Sequence, residues 1–354
     1  MSSPVRAASV VVNWNGRERL ATCLASLEAQ VVPEGWQHEV VLVDNASSDD
    51  SVALVERSFP GVTVVRRASN GGYGAGANAA LAVVDADFVV VVNNDAWFEP
   101  DLVHQLVTPM LADDTIGATT ATVLLEGVFV RDPEGDFTAH DGVRWSRDST
   151  GRDDAVPLIN STGNLVSVSG NGRDRGWLSP VGTPFPEEVF GFHGGACALR
   201  RRALDEVGTF DERLFMYYED TDLSWRLRRH GWRVTWAERA VSHHAHAASS
   251  GTGSRLFVRW NTRNRVVVAL RNAPLRTLPS VVVRAAASTA RAALEVARAP
   301  SDRARRDAAA GRLVGLAEAA AAGPAALRHR WTSRHAAVPP SALAPFLVDD
   351  GSST

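Results

Sequence analysis

The first 125 residues alternate short apolar runs with longer amphipathic stretches. Apolar runs of strand length occupy residues 9–12, 40–43, 62–65 and 88–92, and helical spacing of apolar positions marks 17–30 and 75–84. This alternation is typical of βαβ units around a parallel sheet. We therefore predict an α/β fold in which helices flank a mostly parallel central sheet, with residues 1–125 forming its first half.

Residues 126–186 lose this periodicity and are rich in Gly, Asp, Ser and Arg. A stretch of this length without clear periodicity predicts either a functional loop region or short antiparallel strands. The periodicity of apolar positions returns after residue 186. It predicts helices at 199–207, 220–230 and 255–270 and a strand at 232–236. We expect residues 126–272 to complete the same domain as its second half.

Beyond residue 272 the composition shifts toward Ala and Arg. Residues 273–335 hold 11 Arg against 4 acidic residues, so we predict a basic helical extension there. Two interpretations are open: helices that lie on an anionic membrane surface, or a solvated appendage that packs by its Leu and Val side chains. We expect residues 336–354 to be disordered.

The overall composition excludes several classes of protein. The chain has 354 residues, 45% of them hydrophobic and 22% charged, which is ordinary globular usage. A net charge of −3 offers no positive field, so no nucleic-acid partner is expected. Cys23 and Cys197 lie too far apart in sequence to imply a disulfide framework or a zinc cluster. Neither a signal peptide nor an apolar run of ~20 residues is evident, so we expect a cytoplasmic location.

Polar clusters follow the predicted strands of the first half. They are Asn13-Trp14-Asn15-Gly16, Asp44-Asn45-Ala46-Ser47, Asn70-Gly71-Gly72-Tyr73-Gly74 and Asn93-Asn94-Asp95. Ligands of open α/β sheets bind in the crevice at the carboxyl ends of the strands. The four clusters therefore predict a single ligand site.

Three of these clusters suggest specific chemistry. Asp95, flanked by amides, suits a hard divalent cation that shares its remaining positions with water and phosphate oxygens, although a polar turn would have the same residues. Asp44 is placed to accept hydrogen bonds from a base or ribose, or else to form an Asx turn or helix cap. The glycine-rich loop 70–78 has neither the Lys of a P-loop nor GxGxxG spacing. It nevertheless permits close approach of a diphosphate to a helix N-terminus.

A separate, acidic cluster lies at the start of the predicted helix at 220–230, where Glu219, Asp220 and Asp222 lie within four residues. Like charges at one place need an offsetting cation or dipole. The aromatic residues just before them favour a partly buried setting, in which acidic side chains usually have a specific role. The cluster predicts a general base, and the alternative is ordinary acidic decoration of a helix N-terminus.

In this order, the segments resemble a family 2 glycosyltransferase with the GT-A nucleotide-diphospho-sugar transferase fold, most similar to bacterial rhamnosyltransferase-like members. Val11-Val12-Asn13-Trp14-Asn15-Gly16 resembles the family's first strand, Val43-Asp44-Asn45-Ala46-Ser47 its base-binding DNxS motif, and residues 70–78 its NxGxGxGxN loop. Asn93-Asn94-Asp95 is similar to the metal-binding DxD motif with Asn in place of the first acid, and Glu219-Asp220-Thr221-Asp222-Leu223 to the ED motif. The resemblance covers residues 8–272.

The resemblance implies a role for each of these residues. Asp220, with Glu219 beside it, is implied as the catalytic base, and Asp95 with His244 as ligands of Mg²⁺ or Mn²⁺. The residues implied in binding the nucleotide-sugar donor are Asn13, Asn15, Asp44, Asn45, Gly72, Asn78, Asn93, Asn94, Gly195 and Arg263. The residues implied in binding the acceptor are Gly194, Asp222 and Trp225.

Some of these assignments have open alternatives. His243, His244 and His246 follow the last predicted strand, and His244 is the best match to a family histidine that reaches the metal or diphosphate; surface imidazoles in a loop are the alternative. Arg263 suits pairing with a diphosphate or an anionic acceptor, as does Arg265, although ordinary helix-surface arginines would fit the same pattern. For Trp225, a core position competes with contact to the acceptor.

The resemblance also implies the reaction. The base deprotonates an acceptor hydroxyl as it attacks the anomeric carbon in line, and the metal stabilises the departing nucleotide diphosphate. We predict transfer of L-rhamnose from dTDP-rhamnose to a lipid-linked or polysaccharide acceptor in cell-envelope glycan synthesis. A UDP-sugar donor stays open, as does a sugar nucleotidyltransferase of related fold, although the helix of Glu219 and Asp220 argues against the latter. A carbohydrate-binding protein without catalysis is a third hypothesis, against which the presence of Asp95 and Asp220 counts.

Overall fold

The computed structural model describes residues 4–245, 254–333 and 337–350. Its helices are α1 (Arg17–Glu28), α2 (Ser51–Ser58), α3 (Tyr73–Leu81), α4 (Leu102–Ala112), α5 (Arg201–Val207), α6 (Glu219–Arg229), α7 (Arg255–Asn272), α8 (Leu278–Arg298) and α9 (Arg303–Thr332). Its strands are β1 (Val5–Asn13), β2 (Trp36–Asp44), β3 (Thr63–Arg66), β4 (Phe88–Asn93), β5 (Ala96–Phe98), β6 (Ile116–Leu125), β7 (Val128–Arg131), β8 (Phe137–Thr138), β9 (Arg144–Asp148), β10 (Ile159–Ser161), β11 (Asn164–Ser167), β12 (Gly172–Asp174), β13 (Ala196–Arg200), β14 (Arg233–His244) and β15 (Leu347–Val348).

The central sheet has the strand order β3-β2-β1-β4-β13-β6-β14-β5, with β10 added beside β6. Strands β3, β2, β1 and β4 are all parallel, as predicted for the first half. Strand β13 enters between β4 and β6 and is antiparallel to both. The predicted α/β fold is confirmed, and the complete sheet is mixed because the second half adds antiparallel pairs.

Strand β13 corrects one sequence expectation. The pattern predicts a helix over 199–207, but residues 196–200 form the strand and the helix begins only at Arg201. All five strand residues are buried, and their backbone groups pair with two neighbouring strands. Pairing on both sides outweighs the weak local preference, which is how tertiary context overrides propensity.

Helices cover both faces of the sheet. Alternate residues of β1 point to opposite sides, so Ala7 and Val11 join a core with α1, α2 and α4, whereas Val10 and Val12 join a second core with α3, α5 and α6. A parallel strand buried on both faces is expected to be apolar throughout. This explains why β1 and β4 appear as continuous apolar runs in the sequence.

The region 126–186 consists of short strands, one of the two alternatives predicted from its lost periodicity. Strands β7, β9 and β8 form a small antiparallel sheet, and β11 pairs with β12 in another. Strand β11 brings Asn164 and the following residues close to α6, where Asn164 Nδ2 donates to Thr221 Oγ1.

The predicted helical extension is confirmed as α8 and α9, but it is not a separate appendage. Helix α9 lies along α7 through small residues, and a Cβ atom on Gly315 would come within 2.4 Å of the Arg259 carbonyl. Residues of α6, α7, α8 and α9 share one apolar core. The extension therefore packs on the domain that carries Glu219 and Asp220.

The C-terminal segment also differs from expectation. Residues 336–354 were expected to be disordered, but within the described residues 337–350 this prediction is wrong. Strand β15 pairs with β11, and the Asp350 carboxylate accepts a hydrogen bond from Ser167 Oγ at 2.7 Å. This mostly apolar segment gains its order from partners that are distant along the chain. Across the described ranges, none of the helices combines the length and apolar character needed to span a bilayer.

Candidate active site

The loops after β1 and β2 place Asp44 at the carboxyl edge of the sheet, in register with Asn13. Asp44 is 5% exposed, and its Oδ2 accepts a hydrogen bond from the Ser47 backbone at 3.1 Å. Its Oδ1 is buried without a hydrogen-bond partner among the described residues. A buried carboxylate oxygen without a donor is costly, so this atom is suited to receive one from a ligand.

Asn13 and Asn15, both predicted to bind the donor, are engaged in holding loops together. Asn13 Nδ2 donates to Ser47 Oγ at 3.2 Å, and its Oδ1 accepts from Asn94 Nδ2 at 2.8 Å. Asn15 Oδ1 accepts from the backbone N–H of Ser48 at 2.8 Å. Both ends of the Asn13 amide are therefore occupied by the protein, whereas the exposed Asn15 uses its Oδ1 in this way, and both residues shape the loops around Asp44.

The glycine-rich loop is also used differently from expectation. Gly72 has φ of 87°, and a Cβ atom there would lie 1.9 Å from the Phe215 carbonyl oxygen. That oxygen accepts a hydrogen bond from Tyr73 N–H at 2.8 Å. Asn45, beside Asp44, donates to the Gly72 carbonyl at 2.9 Å. The close approach at the start of α3 is thus made by the protein's own backbone, and the expectation that Gly72 admits a diphosphate there is wrong for this structure.

Asn78 is likewise a structural clamp. Its Nδ2 donates to the carbonyl of Phe210 and to Glu212, and its Oδ1 accepts from Phe210 N–H. Both ends of the amide are therefore occupied by the segment that precedes α6. The prediction that Asn78 binds the donor is corrected by these contacts.

Asp95, which follows β4, and His244, the last residue of β14, lie next to each other. His244 Nε2 lies 3.1 Å from Asp95 Oδ1 and 3.3 Å from Asn93 Nδ2, and its Nδ1 lies 3.0 Å from Asn160 Oδ1. Burial opposes ionisation of Asp95, but the hydrogen bond and charge of His244 outweigh it, and the pKa of the carboxyl lies below its usual range. Asp95 is therefore an anion at neutral pH.

This pair fits a divalent cation. Asn160 Oδ1 can only accept, so Nδ1 of His244 carries the proton, which is how outer partners orient a metal-bound histidine. Nε2 then faces the Asp95 carboxylate, and a proton or a cation is needed between them. Two cis ligands of an octahedral Mg²⁺ are separated by about 3 Å. Among the described residues, no group of three or more His, Cys, Asp or Glu side chains is gathered for a metal ion, so any cation would complete its coordination with water and phosphate oxygens.

His243, the neighbour of His244 on β14, is not at this site. His243 stacks on Trp97 with ring centroids 3.6 Å apart, and its Nε2 lies 2.9 Å from Glu99 Oε1. His246 lies outside the described residues. Alternation along β14 sends His243 and His244 to opposite faces of the sheet, and only His244 faces Asp95.

Asp220 and Glu219 begin α6 next to the loop that precedes β13. Asp220 Oδ2 accepts from Gly194 N–H at 3.2 Å, and Oδ1 accepts from Thr221 N–H at 2.6 Å. Glu219 Oε2 is inaccessible and has no hydrogen-bond partner among the described residues. Burial raises the pKa of both carboxyl groups, and the Asp220 charge adds to the effect on Glu219. Raised pKa values in neighbouring acids are typical of acid–base sites.

Two residues that the sequence analysis did not single out complete this cluster. His193 lies 3.6 Å from Asp174, and its charge lowers the pKa of Asp220 against the effect of burial. Tyr73 Oη donates to the Gly194 carbonyl at 2.6 Å. Burial raises the pKa of the Tyr73 phenol, and the charges of Glu219, Asp220 and Asp95 raise it further. The Tyr73 phenol therefore interacts electrostatically with Asp95 and with the pair Glu219 and Asp220.

The glycines between these groups join the two halves of the site. The Gly195 carbonyl accepts from Asn93 N–H at 3.0 Å, while Gly194 binds Asp220. A Cβ atom on Gly195 would lie 2.6 Å from the His193 ring and 3.2 Å from Asn93 Nδ2. Asn93, at the end of β4, and Asp220, at the start of α6, are therefore connected through two residues that lack side chains.

The segment that delivers the acids is strained. Phe215, Tyr217 and Tyr218 all have φ between 64° and 70°, the left-handed region that residues with side chains rarely adopt. Asn264 holds this conformation, since its Nδ2 donates to the carbonyls of Leu214, Met216 and Tyr217. Asn264 is fully buried on α7, and because it is one of several polar residues between Arg259 and Arg265 the sequence pattern does not single it out.

Two predicted acceptor residues are corrected by burial. Asp222 is fully buried and accepts from Arg226 Nε at 2.9 Å and Asn272 Nδ2 at 3.0 Å, with Arg271 also paired to it. Trp225 is 1% exposed and packs edge-on against Phe190. They lie on the inner side of α6, so neither reaches an acceptor; both fix the helix that carries Asp220.

Arg263 is corrected in the same way. Its guanidinium donates to the Arg213 carbonyl at 3.0 Å and to Asn264 Oδ1, and it lies over the Trp260 ring. These contacts support the strained segment rather than a donor. Arg265, two residues along α7, lies on a different side of the helix.

Comparison with known proteins agrees with this geometry. Residues 9–208 match the family described as Glycosyl transferase family 2, and residues 180–285 match Glycosyl transferase family group 2. The chain belongs to glycosyl transferase family 2. The glycosyltransferase activity implied by the sequence motifs is confirmed at the level of this family.

A relative of known activity lies within the family. The N-acetylglucosaminyl-diphospho-decaprenol L-rhamnosyltransferase of Mycobacterium tuberculosis (strain ATCC 25618 / H37Rv) is 30% identical over 238 residues, covering 61% of this chain and 70% of the relative. The predicted resemblance to rhamnosyltransferase-like members is confirmed by this similarity.

Solved glycosyltransferase structures of similar fold confirm the GT-A fold. The mannosyltransferase PcManGT from Pyrobaculum calidifontis, in complex with GDP-Man and Mn²⁺, superimposes with a TM-score of 0.53 at 19% identity, covering 91% of this chain and 87% of that one. GalNAc-T7 with UDP, GalNAc and Mn²⁺ gives a TM-score of 0.56 at 17% identity, covering 76% of this chain. This chain spans about half (48%) of the GalNAc-T7 chain.

Proposed function

We propose that this member of glycosyl transferase family 2 is a metal-dependent, inverting enzyme that transfers L-rhamnose from dTDP-rhamnose to a lipid-linked or polysaccharide acceptor in cell-envelope glycan synthesis. The observation that carries the proposal is the link from Asn93 through Gly195 and Gly194 to Asp220, which brings a carboxylate with raised pKa to the edge that holds Asp95. The choice of sugar rests on similarity to the mycobacterial rhamnosyltransferase.

Asp44 and Asp95 are assigned to the donor. The unpartnered Oδ1 of Asp44 accepts a hydrogen bond from the nucleobase of the donor, and Asp95 with His244 holds Mg²⁺ or Mn²⁺. When bound, the cation supplies positive charge that stabilises the departing nucleotide diphosphate. Asn93 and Asn94 contribute neutral amides beside Asp95. The protein therefore places a single carboxylate near the negatively charged diphosphate of the donor.

Asp220 is assigned as the base. It takes the proton from an acceptor hydroxyl, whose oxygen forms a bond to the anomeric carbon as the bond from that carbon to the diphosphate oxygen breaks. Gly194 N–H and Thr221 N–H orient the carboxylate, and burial gives it a raised pKa that suits proton abstraction near neutral pH. General-base catalysis of this kind contributes ~10²–10⁴-fold to the rate.

Nucleotide binding tests the proposal most directly. Thermal unfolding of the full chain with dTDP, UDP or GDP, each with and without Mn²⁺, measures both base preference and metal dependence. A ligand at a hundredfold excess over Kd stabilises the fold by about 2.7 kcal/mol. We expect dTDP to give the largest shift, only with Mn²⁺, and Asp95→Asn to remove the metal dependence. Equal shifts with and without Mn²⁺ for every nucleotide would contradict the proposal.

We also retain contact of residues 273–335 with an anionic membrane surface, at the inner face of the cell membrane, as part of the proposed function. Val283 and Leu294 of α8 are 65% and 59% exposed. Their spacing of eleven residues puts them on one face of the helix, beside the arginines of α8. An exposed apolar face flanked by basic side chains is suited to an anionic lipid surface.

A further inference from the structure

A cavity of about 500 Å³ lies between α7, α8, α9 and the loop that joins β11 to β12. It is separate from the edge that carries Asp44 and Asp95. Four arginines from three helices line it: Arg265, Arg284, Arg291 and Arg312. Arginine is the side chain best suited to bind phosphate through paired, directional N–H donors.

The positive charge in this cavity is not balanced by the protein. Its lining includes only two carboxylates, Glu295 and Asp350, and Asp350 pairs with Arg284 at 3.2 Å. None of the described carboxylates forms an ion pair with Arg265, Arg291 or Arg312. Arg265 Nε is inaccessible to solvent and has no hydrogen-bond partner among the described residues. A buried donor without an acceptor is costly, so an anion in the cavity would be stabilised.

The protein itself places one oxyanion at this wall. The Asp350 carboxylate accepts hydrogen bonds from Ser167 and Ser169 while it pairs with Arg284. Both serines are only 2% exposed, and Ser169 lines the cavity. Two hydroxyls and a guanidinium around a carboxylate form a donor set that fits a phosphoryl group equally well.

The cavity adjoins the candidate base. Asn171 lines the cavity, and the next residue, Gly172, donates its N–H to Tyr218 Oη at 3.0 Å. A Cβ atom on Gly172 would lie 3.6 Å from Thr221 Oγ1, which in turn donates to Asp220 at 3.1 Å. Asn171 and Gly172, adjacent in sequence, therefore connect the cavity lining to the start of α6.

We propose that this cavity binds the diphosphate of a lipid-linked acceptor. The inference rests on the proposed function, since in a sugar attached to lipid through a diphosphate the anionic group lies next to the sugar that receives the transfer. Arg265, Arg291 and Arg312 bind the diphosphate, and Asp350 competes with it for Arg284. The cavity is a second anion site, so the acceptor is recognised by its charge at residues separate from those assigned to the donor.

Binding of inorganic diphosphate to the full chain tests the cavity without catalysis. Calorimetry is done in EDTA with the Asp95→Asn variant as background, so that the donor side contributes little. We expect Arg291→Gln and Arg312→Gln each to weaken binding on the order of tenfold, because each removes a charge-assisted contact. Asp350→Asn should strengthen it, because a competing anion is lost. The exposed Arg298 of α8, which does not line the cavity, provides the matched control, and Arg298→Gln should change nothing.

Further arms identify the source of the anion. Inorganic phosphate, a short-chain lipid diphosphate sugar and phosphatidylglycerol vesicles are titrated into the same variants. The proposal expects the lipid diphosphate sugar to bind most tightly and to lose most in Arg291→Gln. Because the arginines of α8 are also proposed to contact anionic lipid, the deciding comparison uses Arg312 of α9. If phosphate or vesicles show the same or larger dependence on Arg312, the assignment to the acceptor is overturned.

The kinetic arm separates the two proposals. In active enzyme, Arg312→Gln should raise KM for the acceptor and leave KM for the donor unchanged. If no sugar is transferred by any variant, the proposed function fails while the calorimetry still reports on the cavity. If transfer occurs but neither arginine alters diphosphate binding or acceptor KM, the cavity inference fails and the proposed function stands.

Discussion

The backbone N–H of Gly194 donates to the Asp220 carboxylate at 3.2 Å, while the Gly194 carbonyl accepts from Tyr73 Oη at 2.6 Å. The loop before β13 is therefore fixed to α3 on one side and to α6 on the other. A Cβ atom on Gly194 would lie 3.6 Å from the Asp220 side chain. A side chain on Gly194 would therefore be in van der Waals contact with this carboxylate.

Asp220→Asn tests the assignment of the base. The amide retains the size of the side chain but accepts no proton from a hydroxyl, so we expect kcat to fall by ~10²–10⁴-fold. Donor affinity, measured by thermal shift with dTDP and Mn²⁺, should be unchanged because the proton belongs to the acceptor. Full activity in the Asp220 variant would move the role to another group.

His193→Asn tests the electrostatic support of Asp220. Burial raises the pKa of Asp220, and the His193 charge lowers it. Without the imidazole the pKa rises further, so a higher pH is needed to ionise the base. The acidic limb of the kcat/KM profile should move toward higher pH. His104, which lies against Trp36, provides a control whose substitution by Asn should leave the limb in place.

Glu219→Gln tests the cost of a buried acid. Burial raises the pKa of Glu219 from 4.5 to about 8 in the folded protein. Between these values the unfolded chain has released a proton that the folded chain retains, so the free energy of unfolding decreases as pH rises. Glutamine does not ionise, and its variant should lose this slope. We expect a larger gain in Tm at pH 8 than at pH 5; an equal gain at both would contradict it.

Asp222→Ala distinguishes a structural role from acceptor binding. The substitution leaves Arg226 and Arg271 buried with their shared carboxylate removed. Loss of one partner of a buried ion pair costs about 3–5 kcal/mol, which urea unfolding would measure. Asp211, which also pairs with Arg271, keeps part of the balance. A variant of unchanged stability and raised acceptor KM would restore the original assignment.

Val283→Glu with Leu294→Glu tests membrane contact by α8. Both side chains are exposed, so the fold should be unaffected, whereas the added negative charges oppose an anionic surface. Flotation with phosphatidylglycerol vesicles should fall relative to the unaltered chain. Val181→Glu, at an exposed position in the region of short strands, serves as the control. Equal flotation of all three proteins would remove membrane contact from the proposal.

Much of the candidate site was predictable because its signals are local. Asp44 and Asp95 follow apolar runs that fold as parallel strands, and parallel strands present their carboxyl ends at one edge. The acids of α6 stand out through charge and aromatic residues within a few positions. By contrast, β13 was predicted as part of a helix because its character depends on pairing with β4 and β6.

The sequence by itself determined the alternation of strands and helices, the family and the acids that carry its chemistry, because these depend on neighbouring residues. Only the tertiary structure decided which polar residues are free for ligands. Asn78 meets Phe210 132 positions away, and Asp222 meets Arg271 49 positions away. Whether a polar side chain is used by the fold or left for a substrate depends on partners that are distant along the chain, and a motif does not contain them.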